Sequence, residues 1–548
     1  MKYRLLIPLL TLAGLSLGFV RISDGSLYVR IARSLELMGE VFRQVSLNYV
    51  EDVDPEVVIE AGINGMLKSL DPYTSFVREE EADDLDQISS GTYTGFGITV
   101  SQVDSALTIT GIRTDGPADR AGIRIGDRLV SIDGVMVDTM APKSLRKHTR
   151  GSANVNVAVT LVRESRSDTI KLVMQRATID IDNVVHYEVL PGGIAFVKLA
   201  RFSRRAASEV RSALETMKSK QRLTGIVLDL RDNPGGLLEA AVGVTKLFVP
   251  RGSFIVATRG REASESRNFV SDTDPFDASL PLAILINEHS ASASEIVAGA
   301  IQDVDRGIIL GKKSFGKGLV QTVVPLPGDA QLKMTTSRYY TPSGRSIQRV
   351  NYASFRSQGT TIPSDTTVFT TQNGRSIREL SGIEPDTTVD DSSYPSMVRH
   401  LLDNNVLFRF ASSYTSHLDS LPSNFSPDKA FESFVRHLDG VPAFKRSIVL
   451  RELADSRRRC EAEGFSQAVV RSIEQAERAA EKDFVRSIRQ NADVIRPLLD
   501  IEIRSRFSSE RERISLGLKA DATLRAAVSI LGGKRYATFL ELPTAGEQ

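Results

Sequence analysis

The chain has 548 residues, too many for one compact core and enough for two to four domains of ordinary size. Lys and Arg number 69 against 68 Asp and Glu, a formal charge of +1, so no global field recruits nucleic acid or anionic lipid. With 41% hydrophobic residues, 25% charged residues and Cys460 as the one cysteine, a mainly disordered chain, a multi-span membrane chain and an internal disulfide framework are excluded. Lys2 and Arg4 precede an uncharged run from Leu5 to Val20 that Arg21 ends. A basic start before an apolar stretch has the layout of an export signal, which predicts that residues 1–22 are a signal peptide or an N-terminal anchor and that the protein is periplasmic, or membrane-anchored facing the periplasm. Residues 28–88 read as a helical module. Leu35, Met38, Val41, Phe42 and Val45 recur at helical spacing. Asp54-Pro55 opens a second helix with Val57, Ile59, Ile63 and Met66 as its stripe, and Asp71-Pro72-Tyr73 ends the pattern.

Residues 89–178 change texture to short β-branched runs between glycines, such as Ile98-Thr99-Val100 and Val155 to Val162. Gly116 to Asp127 reads as a turn, one short helix and a second turn before the strand Arg128 to Ile132. From residue 179 to 395 apolar strands alternate with helices: Ile226 to Leu230 before Leu237 to Phe248, and Leu282 to Ile286 before Ala293 to Asp303. Such runs are strands buried on both faces, so this is an α/β domain with its active loops at the strands' carboxyl ends. Residues 396–548 are largely helical, with Val470, Ile473, Ala476, Ala480, Phe484 and Ile488 on one face. They read as a packing or dimerisation appendage without chemistry.

Three loops of the α/β segment carry candidate chemistry. Asn287 to Glu295 ends one strand and opens a helix, placing Ser292 at a helix N-terminus. Ser292-x-x-Glu295 has the spacing of a capping box, which is sufficient reason for a serine there. Ser292 becomes a nucleophile only if a base and an oxyanion site lie within reach, and the helix start offers Ala293 N–H for the second. Lys317 lies between Gly316 and Gly318. On an exposed loop it is an ordinary surface lysine; in an apolar pocket its desolvated ammonium releases its proton and the amine serves as a base. Gln321 follows four residues later, on the same face of either a helix or a strand. Asp229 to Leu237 ends another strand with Asn233-Pro234-Gly235-Gly236, either a plain turn or backbone N–H groups presented to an oxyanion. His289 is too close to Ser292 along one turn to complete a triad. The remaining histidines, at 148, 186, 400, 417 and 437, show no paired ligand spacing. No metal or other cofactor is called for.

Taken together, Asp229 to Gly236, Asn287 to Glu295, Phe315-Gly316-Lys317-Gly318 with Gln321, Thr336 to Gln348, Gly382 to Asp386 and Leu70 to Thr74 resemble the C-terminal processing peptidases, the tail-specific serine proteases of peptidase family S41. The resemblance runs in order from about residue 28 to 390. It implies a multidomain α/β protein: a ClpP/crotonase-like α/β protease core with an inserted PDZ domain, an N-terminal helical module and a helical C-terminal region. It implies a serine endopeptidase with a Ser292–Lys317 dyad assisted by Gln321, with Ala293 and one of Gly235 or Gly236 as oxyanion donors. Gly95-Phe96-Gly97-Ile98 matches the carboxylate-binding loop of a PDZ domain, which takes free C-termini of protein or peptide substrates as an added strand. Leu145 to Gly151 departs from the family's shorter Arg-Gly link, so no regulatory arginine is assigned there. The helical C-terminal region inherits no function from the family and stands as a possible homo-oligomer contact. The competing function is a tail-binding scaffold of the same fold without cleavage, for which Ser292, Lys317 and Gln321 together would have no use.

Overall fold

The computed structural model describes residues 25–78, 91–138, 140–164, 168–328, 330–350, 352, 367–378, 381–389, 394–441, 447–533 and 535–540. The expected export segment, 1–22, lies outside them. No helix among the described residues is long and apolar enough to cross a membrane.

The chain divides into two units. The first comprises residues 1–78, 321–335 and 352–359. Its helices are Gly25–Asn48 and Pro55–Lys68. Asp54 caps the second by accepting from Glu56 N–H at 2.8 Å, with Pro55 at the first helical position, where its missing N–H costs nothing. The expected apolar stripes are only partly covered. Leu35, Val41, Val57 and Met66 are exposed, and Leu67 is the buried residue of its helix. Asp71 then forms the predicted turn, its Oδ1 accepting from Tyr73 and Thr74 N–H at 2.8 Å each. The strand Ser75–Val77 pairs antiparallel with Gln331 to Lys333.

The second unit holds the rest. Its β-rich segment is a sheet ordered Ile98–Val103, Ala106–Ile112, Arg128–Ile132, Asn156–Val162, Ile170–Gln175, antiparallel throughout. The core beneath it includes Phe96, Leu107, Ile109, Leu129, Val157 and Leu161. The predicted short helix is Pro117–Arg120. Thr92–Gly95 leaves this sheet and pairs with Ala177–Asp180.

The central sheet runs Val184–Leu190, Ile194–Leu199, Gly225–Asp229, Leu282–Ile286, Ile308–Gly311, Thr387–Thr388, antiparallel in the first pair and parallel thereafter. Alternate residues of the buried strands face opposite layers. Ile226, Leu228, Ile284 and Ile286 pack on the helices Ala206–Lys220, Leu238–Lys246 and Ala293–Asp303. Phe196, Val227, Ala283 and Leu285 pack on Leu524, Ala527, Ile530 and Leu531 of the helix Ala522–Leu531. This corrects the reading of the C-terminal region as an appendage: a sheet apolar on both faces needs two covering layers, and the second comes from residues beyond 396. The C-terminal helices between Ser396 and Arg504 supply a separate core around Phe410, Phe431, Phe434, Phe484, Ile488 and Leu499.

Candidate active site

Leu282–Ile286 ends at Asn287, and the loop to Ala293 turns sharply into its helix. Ser292 has φ 56° and ψ −111°, a conformation that costs a residue with a side chain about 1–3 kcal/mol and persists only where its surroundings impose it. The capping box is half of what its sequence promises. Glu295 Oε2 accepts from Ser292 N–H at 2.8 Å. Glu295 N–H, however, donates to the Ser292 carbonyl at 2.9 Å, and the hydroxyl makes no capping hydrogen bond. The structural duty that would occupy Ser292 is carried by its backbone.

The loop after Gly225–Asp229 comes up against this turn. A Cβ on Gly235, which has φ +100°, would lie 2.7 Å from Ala291 O, 2.9 Å from Ser292 Cβ and 3.0 Å from Ala293 N. Only glycine permits that approach. A Cβ on Gly236 would lie 2.2 Å from Phe202 O. Gly235 N–H donates to Asn233 Oδ1 at 2.9 Å, so its donor is spent inside the loop. Among the described residues no hydrogen-bond acceptor is found for Gly236 N–H or Ala293 N–H. Asn233 fastens the loop further, donating from Nδ2 to Leu199 O at 2.8 Å and accepting at its carbonyl from Ala291 N–H at 3.0 Å and Ser294 Oγ at 2.9 Å.

Lys317 lies in the loop before the strand Leu319–Pro325, and its backbone is tied to Ser292 twice. Glu295 is fully buried. Its Oε2 accepts from Lys317 N–H at 2.9 Å as well as from Ser292 N–H, while Oε1 accepts from Gly316 N–H at 2.7 Å and Ser314 Oγ at 2.6 Å. Burial pushes this carboxyl above its ordinary range, opposed by the four donors; the acceptor-only ionised form is the one that matches them. On the carbonyl side, the buried Tyr339 hydroxyl lies 3.1 Å from Ser292 O and 2.5 Å from Lys317 O. Its single proton serves one of the two at a time. One carboxylate thus holds the N–H groups of Ser292 and Lys317, and one phenol holds their carbonyls.

Further motif residues support this loop. Gly318 N–H donates to Gln348 Oε1 at 2.8 Å. Ser314 Oγ accepts from Ile383 N–H at 2.6 Å. Arg345 pairs with Asp303 at 2.8 Å in the interior. Sequence reasoning gave Glu295 a cap and Tyr339 no role. The signal for Glu295 was its capping spacing, but the partners that give it a second function lie on a different loop.

Gln321 belongs to the first unit, where its Nε2 donates to Thr335 Oγ1 at 3.3 Å. Thr335 N–H in turn donates to Thr74 Oγ1 at 3.2 Å, and the Thr74 hydroxyl donates to Asp71 Oδ2 at 3.0 Å. The face shared by residues four apart does not apply to Lys317 and Gln321, because Lys317 precedes the strand that Gln321 lies on. His289 is exposed, its N–H donating to Asn287 Oδ1 at 3.2 Å.

Of the four PDZ-loop residues, Gly95 closes the strand Thr92–Gly95, Gly97 has φ +76°, and Ile98 opens the edge strand Ile98–Val103. Phe96 is 1% exposed, with its ring in the core, so its side chain anchors the loop and contact with a ligand falls to its backbone. The Phe96 and Gly97 carbonyls accept from Ala118 and Arg113 N–H at 3.0 and 2.8 Å. Among the described residues Ile98–Val103 has a strand partner on one side only, the arrangement that accepts an added strand.

Glu295→Gln tests the bracket. Whichever way the amide turns, its NH2 faces two donors, either Ser292 and Lys317 N–H or Ser314 Oγ and Gly316 N–H. Leaving buried donors unmatched costs about 1–3 kcal/mol each. The expected outcome is a fall in kcat of about a hundredfold with little change in KM, read from steady-state peptide cleavage.

Comparison with known families gives the following matches. Residues 193–352 match the model described as Peptidase family S41, residues 108–163 match a PDZ domain, and residues 397–531 match "Probable PDZ-protease, C-terminal helical domain". A carboxy-terminal-processing protease of Bartonella bacilliformis is 38% identical over 331 residues, covering 60% of this chain and 75% of its own. A "Probable CtpA-like serine protease" of Staphylococcus aureus is 28% identical over 377 residues, covering 69% of this chain and 68% of its own. Among solved structures, the photosystem II D1 C-terminal processing protease is 29% identical, with a TM-score of 0.38 over 65% of this chain and 88% of that one.

Proposed function

This chain belongs to peptidase family S41 and is a serine protease of the carboxy-terminal-processing type with a PDZ domain, and from that premise we propose how its own residues cut a peptide. Ser292 Oγ attacks the carbonyl carbon of the scissile bond while the uncharged amine of Lys317 takes its proton. Negative charge gathers on the carbonyl oxygen and is met by the N–H groups of Ala293 and Gly236 at the positive end of the helix. The C–N bond then breaks, and the Lys317 ammonium protonates the departing amine. Water attacks the acyl-enzyme with Lys317 again as base, releasing the acid and restoring Ser292. The family resemblance assigns the orienting role to Gln321. The observation that carries this reading is the double bracket of Glu295 and Tyr339, which fixes the backbones of Ser292 and Lys317 against each other.

Substrate choice is assigned to the PDZ segment. The loop from Gly95 to Ile98 offers N–H groups to a terminal carboxylate, and the open edge of Ile98–Val103 takes the preceding residues as a strand. The export signature at residues 1–22 supports a periplasmic site of action, either free or tethered at the membrane. Tail recognition is tested with one unfolded protein carrying either a free or an amidated C-terminus. A hydrogen bond to a charged acceptor contributes about 1.5–3 kcal/mol, so amidation should lower kcat/KM at least about tenfold. Equal cleavage of the two forms refutes recognition through the carboxylate.

A further inference from the structure

The second-face helix does more than cover the sheet. Arg231, two residues beyond Gly225–Asp229, donates to Asp229 from Nε to Oδ1 at 2.9 Å and from Nη2 to Oδ2 at 2.8 Å. Its far side donates to Asp521, from Nη1 to Oδ1 at 3.1 Å and from Nη2 to Oδ2 at 2.5 Å. Lys198 Nζ also reaches Asp229 Oδ2, at 3.3 Å. Asp229 is wholly buried, and the Arg231 and Asp521 side chains are 12% and 13% exposed. Burial works to raise the Asp229 carboxyl, yet Arg231 and Lys198 hold it below the usual carboxylate range. Two cations and two carboxylates balance, and loss of Asp521 leaves one carboxylate for two cations in a half-dry site, an imbalance of the costly kind.

Asp521 also caps its own helix, Oδ1 accepting from Leu524 N–H at 2.8 Å. It therefore sets the start of Ala522–Leu531 and the side chain of Arg231 with one carboxylate. The neighbouring loop residues are tied within the central sheet's own loops: Asp232 to Asn287 through bonds of 2.9 and 2.8 Å, and Asn233 to Leu199. Among the described residues Arg231 is the tether that leaves those loops, and it stands at the root of the segment that ends in Gly235 and Gly236.

We infer that Asp521, in the C-terminal helical region, is a positioning residue for peptide cleavage: through Arg231 it fixes the loop that aims Gly236 N–H at the developing oxyanion. This rests on the proposed roles of Ser292 and Gly236. Removing an oxyanion donor costs about 10²–10³ in kcat, and misaiming one costs less.

Asp521→Asn in the full chain keeps a helix cap, because Asn caps as well as Asp, and removes the charge that Arg231 needs. The expected result on an unfolded protein substrate is a fall in kcat of about tenfold or more, with KM within about twofold and an unchanged circular dichroism spectrum. Arg231→Lys keeps a charge beside Asp229 but lacks the fork that spans both carboxylates. It should lose kcat likewise, and it decides the matter if Asp521→Asn fails to fold. Wild-type kcat in both variants, or a loss seen only in Asp521→Ala, where the cap is removed too, overturns the inference and leaves Asp521 a helix cap. Ser292→Ala run in parallel separates the two levels. Cleavage surviving in that variant refutes the serine mechanism itself, whereas an inert Ser292→Ala beside a fully active Asp521→Asn sinks the positioning role alone.

Discussion

Ser292→Ala is expected to yield a folded chain that no longer cleaves peptide. The Ser292 carbonyl accepts from Glu295 N–H at 2.9 Å, so removal of the hydroxyl leaves that donor of the helix Ala293–Asp303 satisfied. Alanine meets the same cost at φ 56° that serine already bears. Glu295 keeps its bond to the backbone N–H of position 292. What disappears is the atom that, in the proposed mechanism, forms the acyl bond. For groups that act as a unit, loss of the nucleophile removes about 10⁴-fold or more of kcat, with the remaining binding and oxyanion donors supplying what is left. The measurement is cleavage of an unfolded protein, with thermal unfolding of wild type and variant compared. A melting temperature close to wild type together with cleavage above about a hundredth of the wild-type rate would exclude Ser292 as the nucleophile.

Lys317→Arg is expected to be nearly as damaging, and more informative than alanine. The loop keeps a long cationic side chain, and the backbone bonds of position 317 to Glu295 and Tyr339 do not depend on it. A guanidinium stays protonated throughout the accessible pH range, so it cannot receive the Ser292 proton. A loss of about 10⁴-fold in kcat that persists as the pH is raised is the expected profile for a missing base. If Lys317 served only as a fixed positive charge, the arginine variant would keep most of the activity, and that outcome would falsify the dyad.

How much of this was legible follows from sequence distance. Leu282–Ile286 and Ala293–Asp303 were readable because an apolar run and a capping signal are local. Gly235 and Gly236 were readable as a special turn, but the choice between them depended on where the Asn233 side chain turned. Tyr339 lies 47 residues from Ser292, and no periodicity connects them. Asp521 lies 290 residues from Arg231, within a helical tract whose composition reads as ordinary packing. For Phe96 the motif names a backbone conformation, and only the core around it shows that the ring points inward. The apolar stripes of Gly25–Asn48 and Pro55–Lys68 followed helical spacing, but spacing alone does not say which part of a face finds cover.

The layer supplied by Ala522–Leu531 has a consequence in time as well as in space. The central strands and that helix meet through contacts distant in sequence, and such contacts form late. Until they do, Phe196, Val227, Ala283 and Leu285 present a bare apolar sheet face, the kind of surface that draws partly made chains into aggregates.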